Sequence, residues 1–223
     1  MIETYIHRLA AWAPGIETPG EWDEWALGKR EILSETKTPE LTYTDSTFRR
    51  RLSQISKMSI QVIHDLLPIK ENTKILFFSF RGELVREYQL YRMLMEEGAL
   101  RPAAFSLSGF NTPVALATIA FGLKGGYSAL YPANNSFLSC IKAAQAALFS
   151  GTSEELVLLY ADELVPEDCR YFFSEVPVPL AFGFILSQKN QPSSIPLSSL
   201  KNLEKDTPPG FLRQILLSGS CSS

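Results

Sequence analysis

The chain has 223 residues, 45% of them hydrophobic and 20% charged, with a formal net charge of -3. That length suits one large domain or two small ones with a substantial core. The slightly acidic balance argues against a nucleic-acid surface, and three cysteines at 140, 169 and 221 form neither a CxxC pair nor an even disulfide set, which points to a reducing cytosol and implies no metal site.

The N-terminus lacks a basic-then-apolar leader, because Glu3 and Thr4 interrupt it. The longest apolar run, Pro113 to Leu123, is too short to span a bilayer, so a cytoplasmic protein without a membrane span is expected. Residues 2–12 read as a first strand ended by Pro14-Gly15. Thr18-Pro19-Gly20-Glu21 has the form of a capping box with proline at the first helical position, opening a short helix that carries Trp22 and Trp25. The polar, threonine-rich residues 34–46 read as an exposed loop.

Phe48 to Leu67 has apolar residues at helical spacing (Leu52, Ile55, Val62, Ile63, Leu66), predicting one amphipathic helix. It opens with Arg49-Arg50-Arg51, where the helix dipole disfavours cations; the triplet reads either as a solvated basic turn or as a contact for an anionic partner. His64 on this helix reads as a surface residue rather than a ligand. Lys74 to Phe80 predicts a buried strand, followed by Arg81-Gly82-Glu83, a helix from Glu83 to about Glu97, and an end at Gly98. A third helix is predicted over Pro113 to Phe121.

Gly125 to Gly151 predicts a short strand, a sharp turn at Pro132-Ala133-Asn134 and a helix from about Ser136 to Ser150, with Asn134 or Asn135 as cap and Gly151 as the left-handed terminator. Phe137, Leu138, Cys140, Ile141, Leu148 and four alanines leave that helix no wide polar side, which places it in a core. Glu155 to Tyr160 and Val178 to Ser187 predict two more buried strands, the last reached by a loop and so free to run antiparallel. Strand-helix alternation gives an α/β layered mixed sheet. Residues 1–187 form the expected domain, and 188–223 a flexible tail in which Phe211 to Leu217 can dock as a short helix.

The Gly125–Gly151 run resembles the nucleophile region of β-ketoacyl synthases, condensing enzymes of the thiolase-like fold, whose pattern is a small strand, Thr-Ala-Cys and a buried alanine-rich helix ending in glycine. Without a gap, the family's cysteine falls on Asn134, and Pro132-Ala133 stands in place of Thr-Ala. A truncated, chain-length-factor-like subfamily from aryl-polyene clusters carries Arg-Arg-Arg-Leu-Ser, Ser-Arg-His-Gly-Glu, Phe-Ser-Leu-Ser-Val-His-Asn and Tyr-Asp-Glu. The counterparts here are Arg49 to Ser53, Ser79 to Glu83, Phe105 to Asn111 and Tyr160 to Glu163, with Phe80 and Arg81 in the Arg-His slots and Phe110 replacing the second histidine.

The resemblance implies a single thiolase-like half with a buried central helix, no cofactor, and no catalytic residue of its own. Full-length relatives use a cysteine and two histidines from a second half, whereas the histidines here are His7 and His64, neither at a family position. It further implies a heterodimer with a β-ketoacyl-ACP synthase through the strand Tyr127, Ser128, Ala129, Leu130 and Tyr131. Phe110, Asn111, Thr112, Ala115, Leu116 and Ile119 would wall the partner's acyl tunnel, and Arg49, Arg50 and Arg51 would face an acyl carrier protein. The competing expectation is a self-contained hydrolase or transferase using Cys140 or a serine, although Cys140 reads as a packing residue and Ser136 and Ser139 have no paired histidine. A binding module without any synthase is a third class. Asp162 and Glu163 read as a solvated strand end or cap in preference to a catalytic carboxylate pair.

Overall fold

The computed structural model describes residues 3–151, 153–173, 177–200 and 206–220; Ile2 of the expected first strand, the Cys221 thiol and residues 201–205 of the expected tail lie outside them. The described elements are β1 (Tyr5–Trp12), α1 (Pro19–Ala26), α2 (Ser46–Arg49), α3 (Gln54–Asp65), β2 (Lys74–Phe78), α4 (Leu84–Glu97), α5 (Pro102–Phe105), α6 (Thr112–Phe121), β3 (Tyr127–Leu130), α7 (Phe137–Phe149), β4 (Glu155–Asp162), β5 (Leu180–Ser187), β6 (Ile195–Pro196) and α8 (Pro208–Ser220).

Six strands form one mixed sheet in the order β3-β2-β4-β5-β1-β6. β2 runs parallel to β3 and β4, while β5 is antiparallel to both β4 and β1, as its loop connection allows. Successive side chains on each strand point to opposite faces, and the sheet is covered on both. Leu76, Phe78, Leu158, Tyr160, Phe182 and Phe184 pack with α1, α7 and α8 on one side. Ile75, Phe77, Val157, Leu159, Ala181 and Ile185 pack with α3 and α6 on the other. The α3 side approaches closely at Gly183, where a Cβ would lie 3.0 Å from Leu158 O and from Val62 Cγ1.

The capping box of α1 forms as expected, Glu21 N donating to Thr18 Oγ1 and Thr18 N to Glu21 Oε2. The single helix expected over 48–67 is instead two. Asp45 caps α2 by accepting from the N–H groups of Thr47 and Phe48, and Ser53 starts α3 by accepting from Ser56 N. Asp45, ahead of the expected helix, opens α2, and Ser53, within it, interrupts the apolar periodicity and opens α3. Arg49 therefore ends α2 and Arg50 and Arg51 follow it, at a helix C-terminus where cations are favoured rather than at a helix start.

α7 begins and ends as the sequence indicates, with Gly151 left-handed at φ 74. Its burial is one-sided: Phe137, Cys140, Ile141, Ala144 and Leu148 pack on the sheet, while Lys142, Ala146 and Phe149 are exposed. The segment beyond Ser187, expected to be flexible outside Phe211–Leu217, also contributes β6, which pairs with β1, and α8 is longer than expected. Phe211, Leu212 and Ile215 of α8 are buried, and the Arg213 guanidinium sits 5.0 Å from the centre of the Trp25 ring.

Candidate functional site

β3 is the end strand of the sheet, bonded on one side only, to β2 in the register Ile75↔Tyr127 to Phe78↔Leu130. Its other edge carries no strand among the described residues. Around that edge the exposed apolar groups are Tyr127 at 36%, Leu130 at 38%, Tyr131 at 55% and, on α6, Ile119 at 70%. Ser128 and Ala129 are half-buried. Asn111 at the head of α6 donates from Nδ2 to Tyr127 Oη at 2.9 Å, tying the helix to the strand. Thr112, Ala115, Leu116 and Ile119 recur at helical spacing as one stripe beside β3, buried at Thr112 and open at Ile119. Phe110 is half-buried, its ring 6.3 Å from that of Phe77.

Beyond β3 the chain turns through Pro132 into Ala133–Asn135. Asn134 and Asn135 both adopt left-handed backbone, φ 55 in each, which asparagine tolerates better than most residues. They therefore make the turn and do not cap α7, in contrast to the expectation from sequence. Asn134 is exposed, and the Tyr131 hydroxyl donates to Asn135 Oδ1. The cap comes from far along the chain: Asp206 Oδ1 accepts from Leu138 N at 2.7 Å, and its other oxygen accepts from the Ser136 hydroxyl. A carboxylate of the chain itself thus occupies the anion-favouring end of α7.

The remaining candidates are placed away from this turn. Cys140 is fully buried in α7, and burial pushes its thiol up to about 12, which leaves almost no thiolate at neutral pH. Ser139 donates to Ser136 O. His7 on β1 bonds Ser187 Oγ at 2.9 Å, and burial lowers its pKa. His64 stacks on Tyr43 with ring centres 3.8 Å apart and bonds Asp65 through Nδ1. Neither histidine contacts Ser136, Ser139 or Cys140. Among the described residues no group of three histidine, cysteine or carboxylate side chains is arranged to hold a metal, and no helix is long and apolar enough to cross a membrane.

Asp162 and Glu163 are not solvated. Asp162 Oδ1 accepts from the Ser79 hydroxyl at 2.6 Å and from Arg81 N, while Oδ2 accepts from Phe80 N and the Tyr160 hydroxyl and pairs with Arg81 Nη2 at 3.0 Å. Glu163 accepts from Val85 N and Ile55 N, joining the starts of α4 and α3. Glu83, buried beside it, accepts from Ser53 and Ser56 hydroxyls and pairs with Arg86. Desolvation, then the neighbouring Glu83, raises Glu163 to about 8. With every oxygen engaged by the loop after β2 and two helix starts, the pair is a clamp between elements. The Ser79-Phe80-Arg81-Gly82-Glu83 run carried the signal for this clamp, since Ser79, Arg81 and Glu83 all belong to it. The sequence reading missed Asp206, although Asp206-Thr207-Pro208 has the form of a helix start.

The arginine triplet divides. Arg49 donates to Leu41 O at 2.8 Å, whereas Arg50 and Arg51 are exposed.

The profile of the family described as "Beta-ketoacyl synthase, N-terminal domain" matches residues 22–210. Among solved structures, the complex of the ketosynthase ApeO with its chain length factor ApeC from Xenorhabdus doucetiae is similar at a TM-score of 0.77 and 22% identity, over 97% of this chain and 92% of that one. The ishigamide ketosynthase/chain length factor gives a TM-score of 0.68 at 14% identity over 87% of this chain and 64% of that one. The AntDE:AntF complex of a type II PKS acyl-carrier protein with its ketosynthase gives 0.59 at 13% identity over 83% and 63%. The chain thus spans less than two thirds of the last two. No curated protein sequence matches it.

Proposed function

From the premise that this chain belongs to the β-ketoacyl synthase N-terminal-domain family, we propose that it is the non-catalytic, chain-length-factor-like partner of a β-ketoacyl-ACP synthase. The observation that carries this reading is the open edge of β3. An end strand flanked by exposed Tyr127, Leu130, Tyr131 and Ile119 is an association hazard unless another sheet edge covers it. Pairing with the equivalent strand of a synthase removes that hazard and also covers surface on the open side of α7.

The turn after β3 supports a division of labour. Asn134 has no nucleophilic atom, and the α7 N-terminus holds Asp206 where a condensing enzyme would stabilise charge at its nucleophile. In this reading decarboxylative condensation takes place entirely in the synthase, whose own cysteine and histidines form and break the bonds to the acyl chain. This chain shapes the end of the tunnel through the stripe Thr112, Ala115, Leu116 and Ile119 together with Phe110 and Asn111, whose bulk limits how far a polyene or fatty-acid-like product extends. Arg50 and Arg51, exposed beyond α2, are placed to meet an acidic carrier protein, with Arg49 supporting the loop at Leu41.

The reading is tested by condensation assays of the synthase from the same organism with carrier-bound acyl substrates, with and without this chain. Product length or activity that depends on the chain, and that survives Asn134→Ala, is the expected result. Turnover by this chain alone, or a synthase indifferent to it, would overturn the reading.

A further inference from the structure

Away from the β3 edge, α3, α4 and α5 enclose a cleft of about 490 Å³ that reaches down to Glu163. Three arginines, Arg50, Arg51 and Arg86, are among the residues that line it. Arg86 is fixed there: its Nη2 donates to Arg51 O at 3.0 Å and its Nε pairs with Glu83 at 3.3 Å. Arg50 and Arg51 pair with no carboxylate among the described residues, so their charge is unspent. Among the described residues Glu163 is the one carboxyl lining the cleft, and burial, then the neighbouring Glu83, raises it to about 8, which weakens its opposition to an anion. Val85, Leu52 and Leu107 form an apolar wall beside the cations.

We propose that this cleft is a binding site for a small organic phosphate, a phosphate monoester on a short aliphatic stem. Three arginines, of which only Arg86 pairs with a carboxylate among the described residues, suit the nearly two negative charges and the several acceptor oxygens of a phosphate monoester. The apolar wall takes the stem, and the volume lies within the ordinary range for small-molecule sites. The inference stands apart from the synthase partnership, because the cleft is complete within this chain. It also differs from a carrier-protein contact, which would use Arg50 and Arg51 as surface charge and make no demand on Arg86 or the wall.

The test is isothermal titration calorimetry of the purified full chain with n-hexyl phosphate and with inorganic phosphate at constant ionic strength. Hexyl phosphate is expected to saturate one site and to bind about tenfold or more tightly than inorganic phosphate, since several methylenes leave water. Arg50→Gln and Arg51→Gln alter exposed side chains and preserve the fold; each is expected to weaken binding about tenfold. Arg92→Gln, elsewhere on α4 and paired with Glu96, is expected to leave it unchanged. Failure of hexyl phosphate to saturate, or equal affinity in the Arg50→Gln/Arg51→Gln double variant, overturns the site while leaving the partner-subunit reading untouched.

Discussion

The two edges of the sheet are finished in opposite ways. At one end the start of β1 is covered: β6 pairs with it through Tyr5↔Pro196 and Ile6↔Ile195, and α8 buries Phe211 and Leu212 on the adjoining face. At the other end no described strand pairs with the outer edge of β3, and exposed Tyr127, Leu130, Tyr131 and Ile119 lie around it. The same chain therefore closes one edge with its own C-terminal segment and leaves the other open. The proposed pairing with a synthase would cover that open edge, whereas at β1 the chain supplies part of the cover itself.

The largest expected effect comes from charging the open edge. Ala129→Arg places a cation in the middle of β3, and co-purification with the synthase should be abolished, with some loss of thermal stability because Ala129 also packs against the core on the α3 and α6 side; retention of the complex would break the comparison. At the sealed end the effect should be reversed in kind. Phe211 packs against Phe137 and Phe184 at ring distances of 5.2 and 5.9 Å, so Phe211→Ala is expected to cost about 3–5 kcal/mol in chemical denaturation.

Asp206 links the ends, because the segment that precedes α8 caps the helix following β3. Asp206→Ala should cost about 1–2 kcal/mol in the same denaturation experiment and lower the helical signal only slightly. Glu163 follows the central strand β4 and serves as a control that favours neither edge. Its carboxyl titrates near its ordinary value of 4.5 when unfolded and at about 8 when folded. Between those values the folded state holds a proton that the unfolded state has lost, so the contribution of Glu163 is greatest below the lower value and declines as pH rises toward 8, by about 1.4 kcal/mol per pH unit. Denaturation midpoints at pH 5, 6.5 and 8 should fall in that order, and Glu163→Gln should flatten the series. A midpoint that rises with pH would contradict the sign.

Much of the layered architecture was legible because its elements carry strong local signals. The unbroken apolar run Ile75 to Phe78, buried on both faces, the capping box at Thr18 and Glu21, and the glycine terminator at 151 depend on residues close in sequence. The failures involve long-range partners. The split at Ser53 is the exception, a local cap hidden inside an apolar periodicity, where Ser53 accepts from Ser56 N. Asp162 and Glu163 read as solvated because polar residues usually are, and only the fold brings Ser79, Arg81, Val85 and Ile55 onto their oxygens. The cap on α7 was assigned to adjacent asparagines, whereas the structure draws it from Asp206 across a sequence separation of 68 to Leu138. The strand at 127–130 was legible as a strand, but its position at the end of the sheet depends on which partners the other strands choose, and local periodicity does not encode that choice.

The most direct measurement is the mass, by analytical ultracentrifugation, of whatever co-purifies when this chain is co-expressed with the β-ketoacyl-ACP synthase of the same organism. A one-to-one heterodimer, lost with Ala129→Arg, is the expected result. A synthase that sediments as its own homodimer beside a free, monodisperse monomer of this chain would contradict the claim that the β3 edge is its binding surface.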